Sequence, residues 1–230
     1  MLILWDIDGT LLRGKGLGKA VTTRAIRDVF GVADELEHHY FGGKTDWQSL
    51  IEILTPHGVA PETVGARMAD YMQVKARHMA ELIDQFHVRP LPGAMEAVTA
   101  LRAVAGIAHG VVTGNVQSTV PVKLRAAGYD PAWFPIGAYG HESVSRNDLP
   151  PLALRRAAEL TGRAYAPDEV WVIGDTVSDV ECARASGLRV IVVTTGFDER
   201  AALEASGPDY LVDDLREIVP LLGGQSVAVV

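Results

Sequence analysis

Polar, glycine-containing turns stand at three places in the chain, each directly after a stretch that reads as a strand. The first is Asp6-Ile7-Asp8-Gly9-Thr10, which follows Leu2-Ile3-Leu4-Trp5. Residues i and i+2 of a strand share a face, so Asp6 and Asp8 can serve one site beyond its carboxyl end. Gly9 permits a sharp departure of the backbone, and the amides around Thr10 can cradle an anion. Two carboxylates this close are heavily penalised in apolar surroundings unless a cation or a substrate compensates them. The second place is Thr113-Gly114-Asn115, after Gly110-Val111-Val112. The third is Gly174-Asp175-Thr176-Val177-Ser178-Asp179, after Val170-Trp171-Val172-Ile173. In open parallel sheets ligands bind outside the carboxyl ends of the strands, so three such ends can converge on one crevice.

The elements that must position these residues are readable from periodicity. Helices are expected at Lys19–Phe30, from Thr45 or Asp46 to about Leu54, and over Pro61–Phe86. In the last of these Val64, Met68, Tyr71, Met72, Met79, Leu82 and Ile83 recur at helical spacings, which reads as helix–helix packing. Pro90-Leu91-Pro92-Gly93 breaks that block, and the pattern then alternates. Helices at Ala94–Val104, Gln117–Ala127, Pro150–Leu160, Ser178–Ser186, Asp198–Ala205 and Asp214–Leu222 separate strands at Ile107–Val112, Pro135–Ala138, Val170–Ile173, Arg189–Val193 and Tyr210–Val212. Alternation of this kind predicts an α/β fold, a parallel sheet with helices on both faces. The core is expected to comprise residues 1–13 and 89–230, with an all-helical cap inserted at 14–88. Gly223–Val230 reads as a loosely held tail.

Composition narrows the function classes. A chain of 230 residues buries well over half of its unfolded surface, so neither disulfide nor structural metal is needed for stability. The net charge of -8 disfavours nucleic acid and anionic membranes, and requires a local positive site for any anionic substrate. The single cysteine, Cys182, has no internal partner, which suits a reducing compartment. Leu2–Trp5 is too short for a signal sequence or a membrane span, and a cytoplasmic protein is expected. His141-Glu142 lacks the second histidine of a zinc motif.

The three strand-end motifs together resemble the haloacid dehalogenase superfamily, mostly magnesium-dependent phosphohydrolases. Asp6-Ile7-Asp8-Gly9-Thr10 matches the first motif, Thr113 with Gly114 the second, and Gly174-Asp175 with Asp179 the fourth. The resemblance covers nearly the whole chain and is greatest to the phosphoglycolate-phosphatase branch, which implies a Rossmann-like core and a helical cap. It implies Asp6 as a nucleophile that forms an aspartyl-phosphate, and Asp8 as the acid and then the base. It further implies Mg2+ held by the carboxylates of Asp6 and Asp175 and the carbonyl of Asp8, with Asp179 in support. Thr113, Gly114 and Asn115, with Gly9 and Thr10, are expected to hold phosphoryl oxygens.

The sequence departs from the family at the third motif, where a lysine is usual and Ser143-Val144-Ser145-Arg146-Asn147-Asp148-Leu149-Pro150 stands. Arg146 is the best positional match, and Lys123 is the other candidate. A guanidinium neutralises the same charges with a different reach. In the cap, Gly42-Gly43-Lys44-Thr45-Asp46 is expected to set specificity, with Lys44 meeting a second anionic group. The expected partner is a small phosphorylated metabolite, with no nucleic acid and no membrane, in a monomer or homodimer. The same nucleophile also suits a phosphosugar mutase, a phosphonatase using Lys44 as a Schiff-base amine, or an inactive relative that binds phospho-ligands.

Overall fold

The computed structural model describes residues 1–33, 36 and 38–224. Strand β1 (Leu2–Trp5) is four apolar residues, all buried, as a strand covered on both faces requires. The chain then passes through the short β2 (Leu12–Arg13) into four helices: α1 (Leu17–Phe30), α2 (Asp46–Leu54), α3 (Pro61–Ala66) and α4 (Met68–Leu82). It returns through β3 (Arg89–Pro90), which pairs antiparallel with β2. There follow α5 (Ala94–Arg102), β4 (Ala108–Thr113), α6 (Val120–Ala126), β5 (Ile136–Tyr139), α7 (Leu149–Thr161) and β6 (Val170–Gly174). The chain ends in α8 (Val177–Ala185), β7 (Arg189–Val193), α9 (Arg200–Ala205), β8 (Tyr210–Val212) and α10 (Ile218–Gly223).

Among the described residues the main sheet has six parallel strands in the order β5-β4-β1-β6-β7-β8. The expected α/β architecture is therefore present. Strand β1 is flanked by β4 and β6, with Trp5 opposite both Val111 and Ile173. The three strands thus finish at one level, and this is also where the chain crosses from one half of the sheet to the other. Side chains alternate across the sheet as a period of two demands. Ile3, Trp5, Trp171 and Ile173 enter one core with α5, α6 and α10, whereas Leu2, Leu4, Val170 and Val172 enter another with α7 and α8.

The helices α1 to α4 form a layer with apolar centres of its own. Ala25, Ile26, Leu50, Leu54, Met68 and Tyr71 pack in one cluster, and Leu17, Val21, Met79 and Leu82 in another. The long helical pattern at Pro61–Phe86 is not one helix. It breaks at Arg67, whose φ of -101° and ψ of 9° leave the helical region, and whose guanidinium bonds the carboxylate of Asp70. Gly65 beside the break weakens the helix further. The two-residue strands β2 and β3 are too short to carry a periodicity, and the sequence reading passes over them. None of the helices among the described residues is long and apolar enough to cross a membrane. Most of the tail expected at Gly223–Val230 lies outside the described residues.

Candidate active site

Beyond β1 the Asp6 amide donates to the Ile173 carbonyl at 2.8 Å, which ties the first turn to the end of β6. Gly9 adopts φ +96°, and a Cβ there would collide with the carboxylate of Asp175. Glycine is thus required twice over, for the left-handed backbone and for the close approach of the third motif. The Thr10 hydroxyl donates to Asp175 Oδ1 at 2.8 Å, and the Phe197 amide donates to Oδ2 at 2.9 Å. Thr10 is fully buried, and its hydroxyl points at Asp175.

Arg146 opens the turn before α7 and reaches the same point from the other side. Its Nη2 donates to Asp6 Oδ1 at 2.9 Å and to Asp179 Oδ1 at 2.6 Å. The other oxygen of Asp179 accepts from the Asp175 amide, the Thr176 amide and the Thr176 hydroxyl at 3.1, 3.0 and 2.8 Å. With both oxygens engaged, Asp179 fixes Asp175 and Arg146. Lys123, on α6, donates to Asp8 Oδ2 at 2.6 Å and to Asn115 Oδ1 at 2.7 Å. The Asn115 amide group donates to Asp8 Oδ2 and to the Thr113 hydroxyl at 2.7 and 2.8 Å. The two basic candidates therefore divide the two acids, Arg146 on Asp6 and Lys123 on Asp8.

The carboxylates are in different electrostatic states. Burial, reinforced by the charges of Asp179 and Asp8 and opposed by Arg146, pushes Asp6 up to about 7. Burial likewise raises Asp175 well above the usual range, with the charges of Asp6 and Asp179 adding to it. Burial also opposes ionisation of Asp8, but the Lys123 charge and the bonds from Lys123 and Asn115 outweigh it and hold the carboxyl low.

This pattern bears on a metal. Among the described residues, no three acid, His or Cys side chains form a ready-made metal cluster. The available set is the carboxylates of Asp6 and Asp175 with the carbonyl of Asp8, all hard oxygens of the kind magnesium takes. Asp6, Asp175 and Asp179 share one guanidinium, and the raised Asp6 and Asp175 mark a deficit of positive charge. The donor set fits a divalent cation.

A cavity of about 610 Å³ lies between the helical layer and the strand ends. Of the residues expected to work there, Asp6, Asp8, Gly9, Thr113, Gly114, Asn115, Arg146 and Lys44 line it, while Thr10, Asp175 and Asp179 lie behind its wall. The Lys44 ammonium is paired with Glu52 at 2.5 Å, so it is not a free amine of the kind a Schiff base needs. Sequence reasoning missed the Asp46–Lys75 pair, joined at 2.6 Å and buried in the same wall. The available signal was Lys75 itself, four residues after Tyr71 and four before Met79, a charge on an otherwise apolar stripe. Asp46 also joins the two layers: its amide donates to the Gly114 carbonyl at 2.7 Å and its Oδ2 accepts from the Val116 amide at 2.8 Å.

Comparison with known proteins supplies the family. The family model for the haloacid dehalogenase-like hydrolases matches residues 1–187. A phosphoglycolate phosphatase of Synechococcus elongatus is 27% identical over 213 residues, covering 92% of each chain. The pyrophosphatase PpaX of Bacillus mycoides is 23% identical over 226 residues, covering 96% of this chain and 95% of its own. Among solved structures, CbbY from Rhodobacter sphaeroides in complex with phosphate superposes with a TM-score of 0.71 at 23% identity, covering 94% of this chain and 95% of that one. That last likeness is one of fold.

Proposed function

The chain belongs to the haloacid dehalogenase-like hydrolases, and on that premise we propose that it is a magnesium-dependent phosphatase of a small phosphorylated metabolite. The observation that carries the reading is the pair of acids beyond β1, with Asp6 bonded to Arg146 and Asp8 to Lys123. Relatives named phosphoglycolate phosphatase and pyrophosphatase support a phosphoester or phosphoanhydride substrate.

Asp6 is the nucleophile: its free carboxylate oxygen attacks phosphorus, and an aspartyl-phosphate forms as the alcohol leaves. Arg146, bonded to the other oxygen, holds the carboxylate in place. Magnesium held by Asp6, Asp175 and the Asp8 carbonyl would supply the positive charge that favours ionised Asp6 and offsets its repulsion of a phosphate dianion. Asp8 protonates the leaving oxygen and later takes a proton from the water that hydrolyses the intermediate. The resting state favours ionised Asp8, but a phosphoryl dianion beside it raises its affinity for a proton. Thr113 and the amides of Gly114 and Asn115 bind phosphoryl oxygens. A buried single cysteine is in keeping with a cytoplasmic setting.

The test is phosphate release from p-nitrophenyl phosphate with magnesium, with chelator, and by the Asp6→Asn variant. Metal-dependent release that is lost on chelation and reduced at least a thousandfold in Asp6→Asn is expected. Undiminished turnover by Asp6→Asn overturns the assignment of the nucleophile.

A further inference from the structure

Seven of the 21 Lys and Arg side chains of this acidic protein line this cavity. Four of them are paired with acids: Arg146 with Asp6, Lys123 with Asp8, Lys75 with Asp46 and Lys44 with Glu52. Among the described residues the other three, Arg13, Lys15 and Lys19, have no carboxylate partner. All three come from the short stretch between β2 and the first turn of α1. Arg13 is nevertheless fixed: its Nη2 donates to the carbonyls of Thr195 and Gly196 at 2.6 and 2.9 Å, and its guanidinium lies over the Phe197 ring at 5.9 Å. Carbonyls orient a guanidinium without cancelling its charge. The wall also contains the Ser49 hydroxyl, which is 97% buried with its residue and makes no hydrogen bond among the described residues.

A cluster of uncompensated positive charge on a partly enclosed wall is costly unless an anion completes it. Arg13, Lys15 and Lys19 pair with none of the acids at the catalytic end, where Arg146 and Lys123 stand, so these three are surplus to a single phosphoryl group. The burial gradient separates the two ends, since Asp6, Lys123 and Arg146 are buried while Arg13 and Lys19 are half-buried and Lys15 is exposed. The cavity volume is that of a site for a whole small molecule rather than for a phosphate alone. We propose that Arg13, Lys15 and Lys19 form a second anion subsite at the outer end of the cavity, and that the substrate carries a second phosphate there besides the one transferred to Asp6. This deepens, and rests on, the phosphatase reading. Three cations match a phosphate dianion better than a single carboxylate, and Ser49 supplies a donor or acceptor to the body of the substrate in between.

The experiment compares kcat/KM for pentyl phosphate, 5-phosphooxypentanoate and pentane-1,5-diol bisphosphate, with p-nitrophenyl phosphate as the reference for the chemistry. The wild type should prefer the bisphosphate over pentyl phosphate at least tenfold, with the carboxylate between them, and the preference should decline with added salt. In Lys15→Gln/Lys19→Gln, whose melting temperature verifies folding, the bisphosphate-to-monophosphate ratio should fall at least fivefold. A ratio near one in the wild type, or an undiminished ratio in the variant, overturns the subsite. If p-nitrophenyl phosphate and all three esters are inert with magnesium, the phosphatase reading fails instead. Calorimetric titration of pentane-1,5-bisphosphonate against pentylphosphonate then reads the subsite alone, and equal affinities overturn it.

Discussion

Arg146 and Asp179 are each more than nine-tenths buried, so water cannot take the place of either charge when its partner is removed. Arg146→Ala leaves Asp6 and Asp179 facing one another without a cation. Breaking a buried pair of this kind costs about 3–5 kcal/mol, so the variant should unfold at markedly lower urea and lose turnover at least a hundredfold. Arg146→Lys keeps a positive charge between the two acids and should recover part of both losses; no recovery would show that the fork, not the charge, is needed. The two raised acids also predict how a divalent cation would bind. Asp6, raised to about 7, holds a proton through much of the neutral range, and a cation must displace it. Affinity should therefore rise with pH through the neutral range, with the raised Asp175 adding to the dependence. Calorimetry in two buffers of different ionisation enthalpy would detect the released proton, and a pH-independent affinity would contradict the assignment. Asp6, Asp8 and Asp175 were legible in the sequence because a parallel sheet collects its strand ends. The pairing of Lys75 with Asp46 was not, since a helical lysine ordinarily faces solvent and its partner stands 29 residues earlier in the chain.

Strands β1 and β4 are joined by more than their ladder. The Trp5 indole donates to His109 Nδ1 at 3.1 Å, so that nitrogen must carry no proton, and burial holds the imidazole down to about 4. An unfolded histidine titrates near 6.5. Between about 4 and 6.5 the unfolded chain binds the extra proton, so stability falls as pH is lowered through that window. The whole shift amounts to roughly 3 kcal/mol, fully retained above about pH 6.5. Urea unfolding of the wild type at about pH 7 and about pH 4.5 should show most of that loss. His109→Gln, which cannot titrate, should show a smaller one, and parallel losses in the two proteins would remove the role assigned to His109. Apolar runs made the sheet strands readable, and Thr45, whose side chain accepts from the Gln48 amide at 3.0 Å, made the start of α2 readable. The break between α3 and α4 was not readable, because Val64 and Met68 stay in one apolar cluster on either side of it and the period is unchanged.

At the scale of the molecule, a sheet and a helical layer with separate cores enclose the cavity, and polar contacts join them. The Trp47 amide donates to the Gly140 carbonyl at 3.0 Å, the Thr45 hydroxyl to the Val144 carbonyl at 2.9 Å, and the Tyr40 hydroxyl to Asp198 at 2.6 Å. Asp46 is the most connected of these residues, since its carboxylate takes the Val116 amide of the sheet layer and the Lys75 ammonium of the helical layer at once. Neutralising it therefore acts on the junction and on the cavity wall together. In Asp46→Ala the Val116 amide loses its acceptor and Lys75 is left as an unpaired buried charge, a change that disfavours the packed arrangement. Amide exchange at Val116 and Trp47 should accelerate in the variant, while exchange in β1 and β6 is unchanged. For a phosphoester substrate, KM should rise at least tenfold and kcat should fall less, because the acids beyond β1 keep their partners. Unchanged exchange at Val116 would show that the remaining contacts hold the layers together without Asp46. Slower turnover at constant KM would instead place Asp46 among the groups that act on the reacting phosphate.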